Sequence, residues 1–178
     1  MRPTRALLTL AAVLAVGLLT IGERSIRALT AATPATEWTV SFKTTNNYYM
    51  VAENGGGYYV NANRTAIGPW ETFTLYDWDG GNIEDGDFVG IRTWNGNTWL
   101  WSDPNEEIIY AIGGGPSDTL YQIQNQDQYS QTITNGTHIA LYSWDIGRYI
   151  CAEGGGGSYV SVNRNVAWSW ETFELVVH

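Results

Sequence analysis

The chain has 178 residues, of which 44% are hydrophobic and 13% aromatic, and its formal net charge is −9 at pH 7. Without residues 1–36, five Lys or Arg remain against 17 Asp or Glu, which gives a net charge of −12. Such a surface repels phosphate backbones and anionic lipid, so we expect no nucleic-acid partner. The single cysteine, Cys151, excludes an internal disulfide, and we expect it to be a small apolar side chain in the core.

The N-terminal segment, residues 1–36, has the pattern of a secretory signal peptide followed by a short linker. Two arginines lie in the first five residues, and residues 6–19 form an apolar run. This run fits the roughly 7–15 apolar residues of a signal and is shorter than the roughly 20 that a membrane span needs. Because Arg24 and Arg27 follow the run, an uncleaved anchor stays open as an alternative. We expect a secreted protein with no membrane association after cleavage.

An internal repeat dominates the rest of the chain. Residues 49–73 align without a gap on residues 149–173, and 14 of the 25 positions are identical. A weaker copy lies between them, since residues 89–93 match both 40–44 and 139–143 in pattern. Internal repeats determine the architecture of a chain. The sequence therefore divides into repeat one (about 38–86), repeat two (about 87–136) and repeat three (about 137–178).

Each repeat contains about four short alternating runs rich in Val, Ile, Tyr, Trp and Thr, separated by Gly, Asn and Asp. This pattern is typical of strands and turns. In repeat one the predicted strands are residues 39–44, 48–53, 58–62 and 70–76. Three repeats of four strands predict an all-β protein, a β-trefoil with a six-stranded barrel capped by three hairpins. A sandwich gives no reason for threefold repetition, and a propeller typically has at least four blades.

Residues two apart on a strand share a face, which assigns directions to the repeated side chains. Phe73 and Leu75 are predicted to face the core, as are Phe173 and Leu175 in repeat three. The same alternation points Trp70, with Thr72 and Thr74, away from the core. Glu71 lies at the strand entrance, where its carboxylate either caps backbone amides or turns out to a ligand. The Gly-Gly-Gly runs are predicted to form hairpin turns with positive φ.

The sequence gives little support for catalysis. It has two histidines, His138 and His178, and no Ser/His/Asp, Cys/His or metal-ligand spacing. Glu53 and Glu71, which recur as a pair in repeat three, are candidates for the two carboxylates of a glycoside hydrolase. A pair that occurs twice in one small domain fits two binding sites better than one active site. We therefore expect a non-catalytic protein without a cofactor.

An acidic stretch, residues 77–87, joins repeat one to repeat two. Clustered carboxylates are ligands that calcium prefers. The spacing, however, lacks the alternating oxygens, central Gly and terminal Glu of an EF-hand loop. We interpret the stretch as turn chemistry and predict no metal site from it.

The most distinctive residues form two equivalent sets: Asn63, Arg64, Trp70 and Glu71 in repeat one, and Asn163, Arg164, Trp170 and Glu171 in repeat three. In a structural interpretation, each Arg pairs with a Glu to pin a loop, and the Trp covers the core. In a functional interpretation, each Trp stacks on a pyranose while the polar groups bond its hydroxyls. Repeat two has Ser117 and Asp118 at the Trp-Glu positions, which favours the functional interpretation and puts a third site in doubt.

The pattern Tyr-x-x-Ala-Glu-x-Gly-Gly-Gly, followed by Asn-Arg and Trp-Glu-Thr-Phe, resembles fascin-like β-trefoils. It is most similar to secreted bacterial carbohydrate-binding modules of family 92, over residues 38–178 and most specifically in repeats one and three. The resemblance implies sugar sites built around Trp70 with Glu71 and Trp170 with Glu171. It also implies a polysaccharide ligand, with β-1,3- or β-1,6-glucan expected. We thus expect a secreted, monomeric, lectin-like protein.

A second class of function stays open from the sequence. The domain is also compatible with an extracellular protein-interaction or envelope-structural β-trefoil that has no glycan ligand. In that case the tryptophans dock a protein partner. Competition by free oligosaccharide separates the two classes, because it blocks a glycan site and leaves a protein interface intact.

Overall fold

The computed structural model describes residues 35–115, 120–127 and 131–178, and the regular elements in these ranges are β-strands and single 3₁₀ turns. None of the helical turns described there is long and apolar enough to cross a membrane. The predicted signal peptide falls almost entirely outside the described residues, as do Ser117 and Asp118. In chain order the strands are β1 (Thr36–Thr44), β2 (Tyr49–Ala52), β3 (Tyr58–Arg64), β4 (Phe73–Asp77), β5 (Phe88–Thr93), β6 (Trp99–Ser102), β7 (Ile109–Ile112), β8 (Tyr121–Asn125), β9 (His138–Ser143), β10 (Arg148–Ala152), β11 (Ser158–Arg164) and β12 (Thr172–Val177).

Six of the strands close into an antiparallel ring. Strand β1 pairs with β12 and β4, β5 pairs with β4 and β8, and β9 pairs with β8 and β12. A closed ring leaves no free sheet edge on which another chain could pair. The all-β class and the barrel-like closure that the sequence predicts are confirmed.

The other six strands form three hairpins, β2–β3, β6–β7 and β10–β11. Strand β3 also pairs with β7 and with β11, which joins the hairpins to one another. The predicted glycine turns are confirmed, since Gly55, Gly56 and Gly57 follow β2 with φ of 77°, 122° and 89°. A Cβ on Gly56 would also clash with the Thr98 hydroxyl, so this turn requires glycine for both conformation and space.

Phenylalanines from β1, β4 and β12 meet inside the ring. The ring centroid of Phe42 lies 5.7 Å from that of Phe73 and 6.4 Å from that of Phe173. All three side chains are fully buried, as are Leu75 and Leu175. The predicted core-facing positions of β4 and β12 are therefore confirmed. Ring pairs at such separations add to the stabilisation that burial of apolar area provides.

The sequence prediction was wrong about the start of the fourth strand. Trp70 and Glu71 lie in a 3₁₀ turn, Pro69–Glu71, and β4 begins at Phe73. The physical reason is local, because the Glu71 carboxylate accepts a hydrogen bond at 2.8 Å from the backbone N–H of Gly68. The Thr72 hydroxyl also donates to the Gly68 carbonyl at 2.9 Å. These bonds close the chain into a turn and set the direction of Trp70, which strand alternation therefore does not determine.

Cys151 lies on β10 and is fully buried with a free thiol, as the sequence predicts for an apolar core position. Burial, together with the nearby Glu171 carboxylate, raises the pKa of the Cys151 thiol above its ordinary value. The thiolate is the reactive form of cysteine. In the folded protein this residue is therefore chemically inert.

We predict that Cys151 resists thiol reagents in the native state. Raising the pH from 7 to 9 ionises a thiol of ordinary pKa, about 8.5, but leaves Cys151 protonated because its pKa is raised. Labelling with a chromogenic disulfide reagent, with and without urea, measures this. We expect one reactive thiol in urea and none in native buffer at either pH. Rapid native labelling at pH 9 would contradict the buried position.

Candidate functional site

In repeat one, a single arginine joins two glutamates from different segments. Nη2 of Arg64, at the end of β3, lies 2.8 Å from Oε2 of Glu53, which directly follows β2. Nε of the same arginine lies 3.7 Å from Oε1 of Glu71. Glu53 also accepts a hydrogen bond at 2.9 Å from the Asn61 amide. We call the group Glu53, Arg64 and Glu71 the first Glu–Arg–Glu bridge.

Repeat three has the same arrangement with nearly the same distances. Nη2 of Arg164 lies 3.0 Å from Oε2 of Glu153, and Nε lies 3.6 Å from Oε1 of Glu171. The Ser161 hydroxyl, at 2.6 Å from Oε1 of Glu153, takes the place of the asparagine amide in repeat one. We call Glu153, Arg164 and Glu171 the second Glu–Arg–Glu bridge. The structural interpretation of the Arg–Glu pairing thus describes the geometry well.

Each bridge holds a turn that presents a tryptophan. Glu71 caps the N–H of Gly68, and Glu171 caps the N–H of Trp168 at 2.8 Å. Trp70, between Gly68 and β4, is 41% exposed, and Trp170 is 43% exposed. The inward-facing carboxylate of Glu71 or Glu171 therefore holds the turn together. The tryptophan that directly precedes it in the chain reaches the surface.

Both indoles rest with one edge on a glycine of the neighbouring hairpin turn. A Cβ on Gly55 would lie 3.2 Å from Nε1 of Trp70, and a Cβ on Gly155 would lie 3.2 Å from Cδ1 of Trp170. A side chain at either position would push the indole away by a few tenths of an ångström, and the positive φ of both residues also favours glycine. The Gly-Gly-Gly runs therefore make room for the tryptophans in addition to forming the turns. Each indole contacts a glycine along one edge and is otherwise partly exposed to solvent.

The polar residues of the predicted sites are bonded to one another. Nη1 of Arg64 donates to the Asn63 side-chain carbonyl, and Arg164 does the same to Asn163. The glutamates bond the same arginines through the bridges. The Asn, Arg and Glu residues predicted for each site therefore do lie close together. Their hydrogen bonds are largely internal, and the exposed parts are the tryptophans and about a third of each arginine side chain.

Some neighbours of the tryptophans come from distant parts of the chain, and no sequence pattern indicated them. The Asn46 amide donates to the Gly154 carbonyl at 2.9 Å, and the Asn46 and Thr45 side chains lie against Gly155 beside Trp170. In repeat one, the Asn95 and Thr98 side chains lie against Gly56 in the same way. Each indole therefore lies close to residues of a neighbouring repeat. Glu53 and Glu153 were also missed as partners of the arginines, although their duplication in the repeat pointed to a shared role.

The glutamates nominated as a hydrolase pair have a structural use. Glu53 and Glu71 bond the same guanidinium, and each accepts a further hydrogen bond, from Asn61 and from the Gly68 backbone respectively. A general acid must hold a proton that it can donate to a leaving group. Carboxylates whose oxygens accept bonds from fixed protein donors are not arranged for that task, so the structure does not support Glu53 and Glu71 as a hydrolase pair.

A cavity that the sequence did not predict lies at the hairpin end of the domain. It encloses about 470 Å³ and is lined in part by Tyr59, Tyr159, Asn163 and Glu106. This volume is within the range of small-ligand sites. Asn163 lines this cavity and also belongs to the second candidate set, so the cavity is an alternative location for a ligand.

The acidic junction between β4 and β5 is where carboxylates gather within reach of one metal ion. One oxygen from each of Asp77, Asp79 and Asp87 lies within 4.8 Å of the other two. Burial of Asp77, with the neighbouring Asp79 and Asp87 carboxylates, raises the pKa of the Asp77 carboxyl above its ordinary value. The candidate sugar sites do not include this junction.

Comparison with known proteins supports the fold. A family described as "Domain of unknown function (DUF7910)" matches residues 130–177. No curated protein matches the chain significantly in sequence. Three similar solved structures are the SDF2-like protein from Arabidopsis thaliana (TM-score 0.64, 9% identity, 80% of this chain and 93% of that one), the BEL β-trefoil (0.59, 13%, 79% and 93%) and the Rhizoctonia solani agglutinin (0.54, 12%, 83% and 99%). At such identities the likeness shows the fold alone, which is that of β-trefoil proteins.

We predict that the bridges contribute more to stability than an ordinary surface ion pair. Arg64→Met leaves the buried Glu71 carboxylate without its cation, and we expect the free energy of unfolding to fall by about 1–3 kcal/mol. Lys43→Met removes the more exposed pair with Glu174 and is expected to lower it by less than about 1 kcal/mol. Urea unfolding followed by tryptophan fluorescence measures both. Equal losses of unfolding free energy in the two variants would show that the bridge stabilises the protein no more than a surface ion pair does.

Proposed function

We propose that this protein is a non-catalytic polysaccharide-binding β-trefoil, with three four-stranded repeats and two sugar sites centred on Trp70 and Trp170. The observation that carries the proposal is the paired construction of the two sites. In each, an exposed indole stands on a glycine and is held by a Glu–Arg–Glu bridge. The agglutinin among the similar structures adds support for a lectin-like function.

A fixed indole suits sugar binding for a physical reason. The C–H groups on one face of a pyranose form an apolar surface that stacks on a flat aromatic ring. A ring whose rotamer is already held loses little conformational entropy when the ligand arrives. Since Trp70 and Trp170 each rest on a glycine, their orientation is set before binding. The partly exposed guanidinium groups of Arg64 and Arg164 supply donors for hydroxyl groups beside the ring.

Two weak sites on one chain can bind a repetitive polymer much more tightly than either site alone. A single stacking site that binds near 1 mM supplies only about −4 kcal/mol. Two linked sites on one chain can raise the overall affinity by roughly 10²–10⁴. The duplication of the tryptophan site, with its supporting residues, therefore fits a polysaccharide better than a free monosaccharide.

We further propose that the ligand is a β-glucan and that the protein acts outside the cell. The resemblance to family 92 modules favours β-1,3- or β-1,6-glucan, bound by a secreted monomer. The strongly negative charge of the chain supports an uncharged polymer over an anionic one. An exported leader over residues 1–36 would bring the domain to wall or envelope glucans outside the producing cell.

A protein partner is the second candidate, because other large aromatic side chains are also exposed. Trp94, Trp144 and Trp168 are 61%, 56% and 73% exposed. Exposed aromatic groups are common anchors of protein interfaces. This candidate predicts binding that millimolar oligosaccharide leaves unchanged.

We predict that the protein sediments with insoluble β-1,3- or β-1,6-glucan, and that both tryptophans contribute. Trp70→Ala and Trp170→Ala are each expected to weaken binding about tenfold or more through lost avidity, and the double variant to abolish it. Trp144→Ala, which removes an exposed indole outside the two sites, is the matched control and should bind normally. Circular dichroism confirms that each variant is folded, and cellulose and chitin test the choice of polymer.

Two outcomes would overturn this proposal. Binding that persists in the double variant but is lost in Tyr159→Ala would move the site to the cavity at the hairpin end. Absence of binding to every polymer tested, by a folded protein, would leave the protein-partner candidate.

A further inference from the structure

The junction between β4 and β5 brings together more negative charge than its fold explains. Asp77 is the last residue of β4, Asp79 follows it by two positions, and Asp87 directly precedes β5. One oxygen from each carboxylate lies within 4.8 Å of the others, although Asp77 and Asp87 are buried. Buried like charges at such distances repel one another strongly. Some compensating interaction is required if all three are ionised.

Asp77 also has an oxygen that the protein does not satisfy. Its Oδ1 accepts a hydrogen bond at 3.3 Å from the backbone N–H of Asp79. Its Oδ2 is inaccessible to solvent and has no hydrogen-bond partner, on a side chain that is 0% exposed. A buried carboxylate oxygen without a partner is costly, and native structures contain few of them. This carboxylate faces Asp79 and Asp87, so the missing interaction belongs to the acidic group.

The turn itself does not need the carboxylates, as the next junction shows. Between β8 and β9, the side-chain carbonyl of Asn125 accepts a bond at 2.8 Å from the N–H of Asp127. This is the same bond that Asp77 makes to Asp79, formed by a neutral amide. At the other end of that junction, the hydroxyl of Thr137 accepts a bond at 3.0 Å from the N–H of Thr134.

The Thr137 bond also has its counterpart in the acidic junction. Oδ2 of Asp87 accepts a hydrogen bond at 2.6 Å from the N–H of Glu84, three residues earlier. The same three-residue turn is thus closed once by a carboxylate and once by a hydroxyl. An amide and a hydroxyl suffice for these backbone bonds, so the turn alone does not account for the buried carboxylate of Asp77.

No side-chain cation is left in the described part of the chain to neutralise the group. All five Lys and Arg of residues 35–178 are paired with carboxylates elsewhere: Lys43 with Glu174, Arg64 with Glu53 and Glu71, Arg92 with Glu37, Arg148 with Glu107, and Arg164 with Glu153 and Glu171. In the β8–β9 junction, by contrast, Asp127 bonds the ring of His138 at 3.0 Å. The described residues therefore supply no cationic side chain to the unpartnered oxygen of Asp77.

We propose that Asp77, Asp79 and Asp87 bind a calcium ion that ties the end of β4 to the start of β5. The donors are all carboxylate oxygens, which hard cations prefer, and among residues 35–115, 120–127 and 131–178 no nitrogen or sulfur ligand joins this group. Calcium accepts irregular geometry and completes its coordination with water or carbonyl groups, whereas magnesium requires a near-ideal octahedron. Calcium sites of extracellular modules have a Kd of about 0.1–1 mM, and we expect the same range here, in keeping with the proposed secretion.

Calcium titration of the metal-free protein tests this proposal. After dialysis against EDTA and then metal-free buffer, we expect 10 mM CaCl₂ to raise the Tm by about 5–10 °C, and MgCl₂ at equal ionic strength to raise it far less. Isothermal titration is expected to show one site with a Kd of about 0.1–1 mM. Terbium, as a calcium substitute, should give luminescence sensitised by the adjacent Trp78.

Two variants copy the neutral junction and separate the metal site from the turn. Asp77→Asn and Asp87→Thr introduce the residue types found at Asn125 and Thr137, so the turn bonds are kept while the charge is removed. Each is expected to weaken calcium binding at least tenfold and to remove most of the Tm rise. Glu174→Gln removes a carboxylate outside the group and should leave the calcium response intact.

Either of two results would overturn the proposal. One is a Tm of the unaltered protein that calcium does not change, with no heat of binding. The other is a calcium response of equal size in Asp77→Asn, which would place the bound ion elsewhere. Because the assay measures the metal response alone, its outcome is independent of whether the tryptophans bind glycan.

Discussion

The structure depends on one guanidinium placed between two glutamates, an arrangement that occurs twice. Arg64 ties the turn after β2, through Glu53, to the turn before β4, through Glu71. Since Glu71 is almost completely buried, its charge is tolerable only with that partner and with the Gly68 amide that it caps. The same carboxylate closes the turn that aims Trp70 at solvent. The stability of the turn and the exposure of the indole therefore have one cause.

This arrangement supports the structural interpretation of the Glu and Arg residues in the repeated motif. The Glu and Arg residues are engaged with one another, so their primary role is to hold the turn. The tryptophans are not needed to fill the core, since the buried cluster is complete without Trp70 and Trp170. In each motif the Glu and Arg residues thus hold the turn, and the adjacent Trp is exposed at the surface. A site built in this way depends on its polar residues even where they make no contact with a ligand.

The sequence was sufficient for features that local pattern encodes. Alternation identified Phe73 and Leu75 as core residues, and the repeat identified an all-β fold. Alternation gave the outward direction of Trp70 correctly but the wrong local structure, because the Glu71 carboxylate caps the Gly68 amide and converts the start of the predicted strand into a turn. The neighbours of Trp170 were also beyond prediction, since Asn46 lies more than a hundred residues away in the chain. The surplus charge of Asp77 became visible only when its hydrogen bonds were compared with those of Asn125.

We expect Trp70 and Trp170 to present their rings to a sugar, and NMR spectroscopy observes those rings directly. The nine tryptophans give nine indole N–H signals in a ¹⁵N-labelled sample, and the Trp70→Ala and Trp170→Ala variants assign two of them. During titration with a soluble β-1,3- or β-1,6-gluco-oligosaccharide, we expect these two signals to shift and saturate while those of the other tryptophans stay in place. Shifts confined to other indoles, or no shift at millimolar ligand, would contradict it.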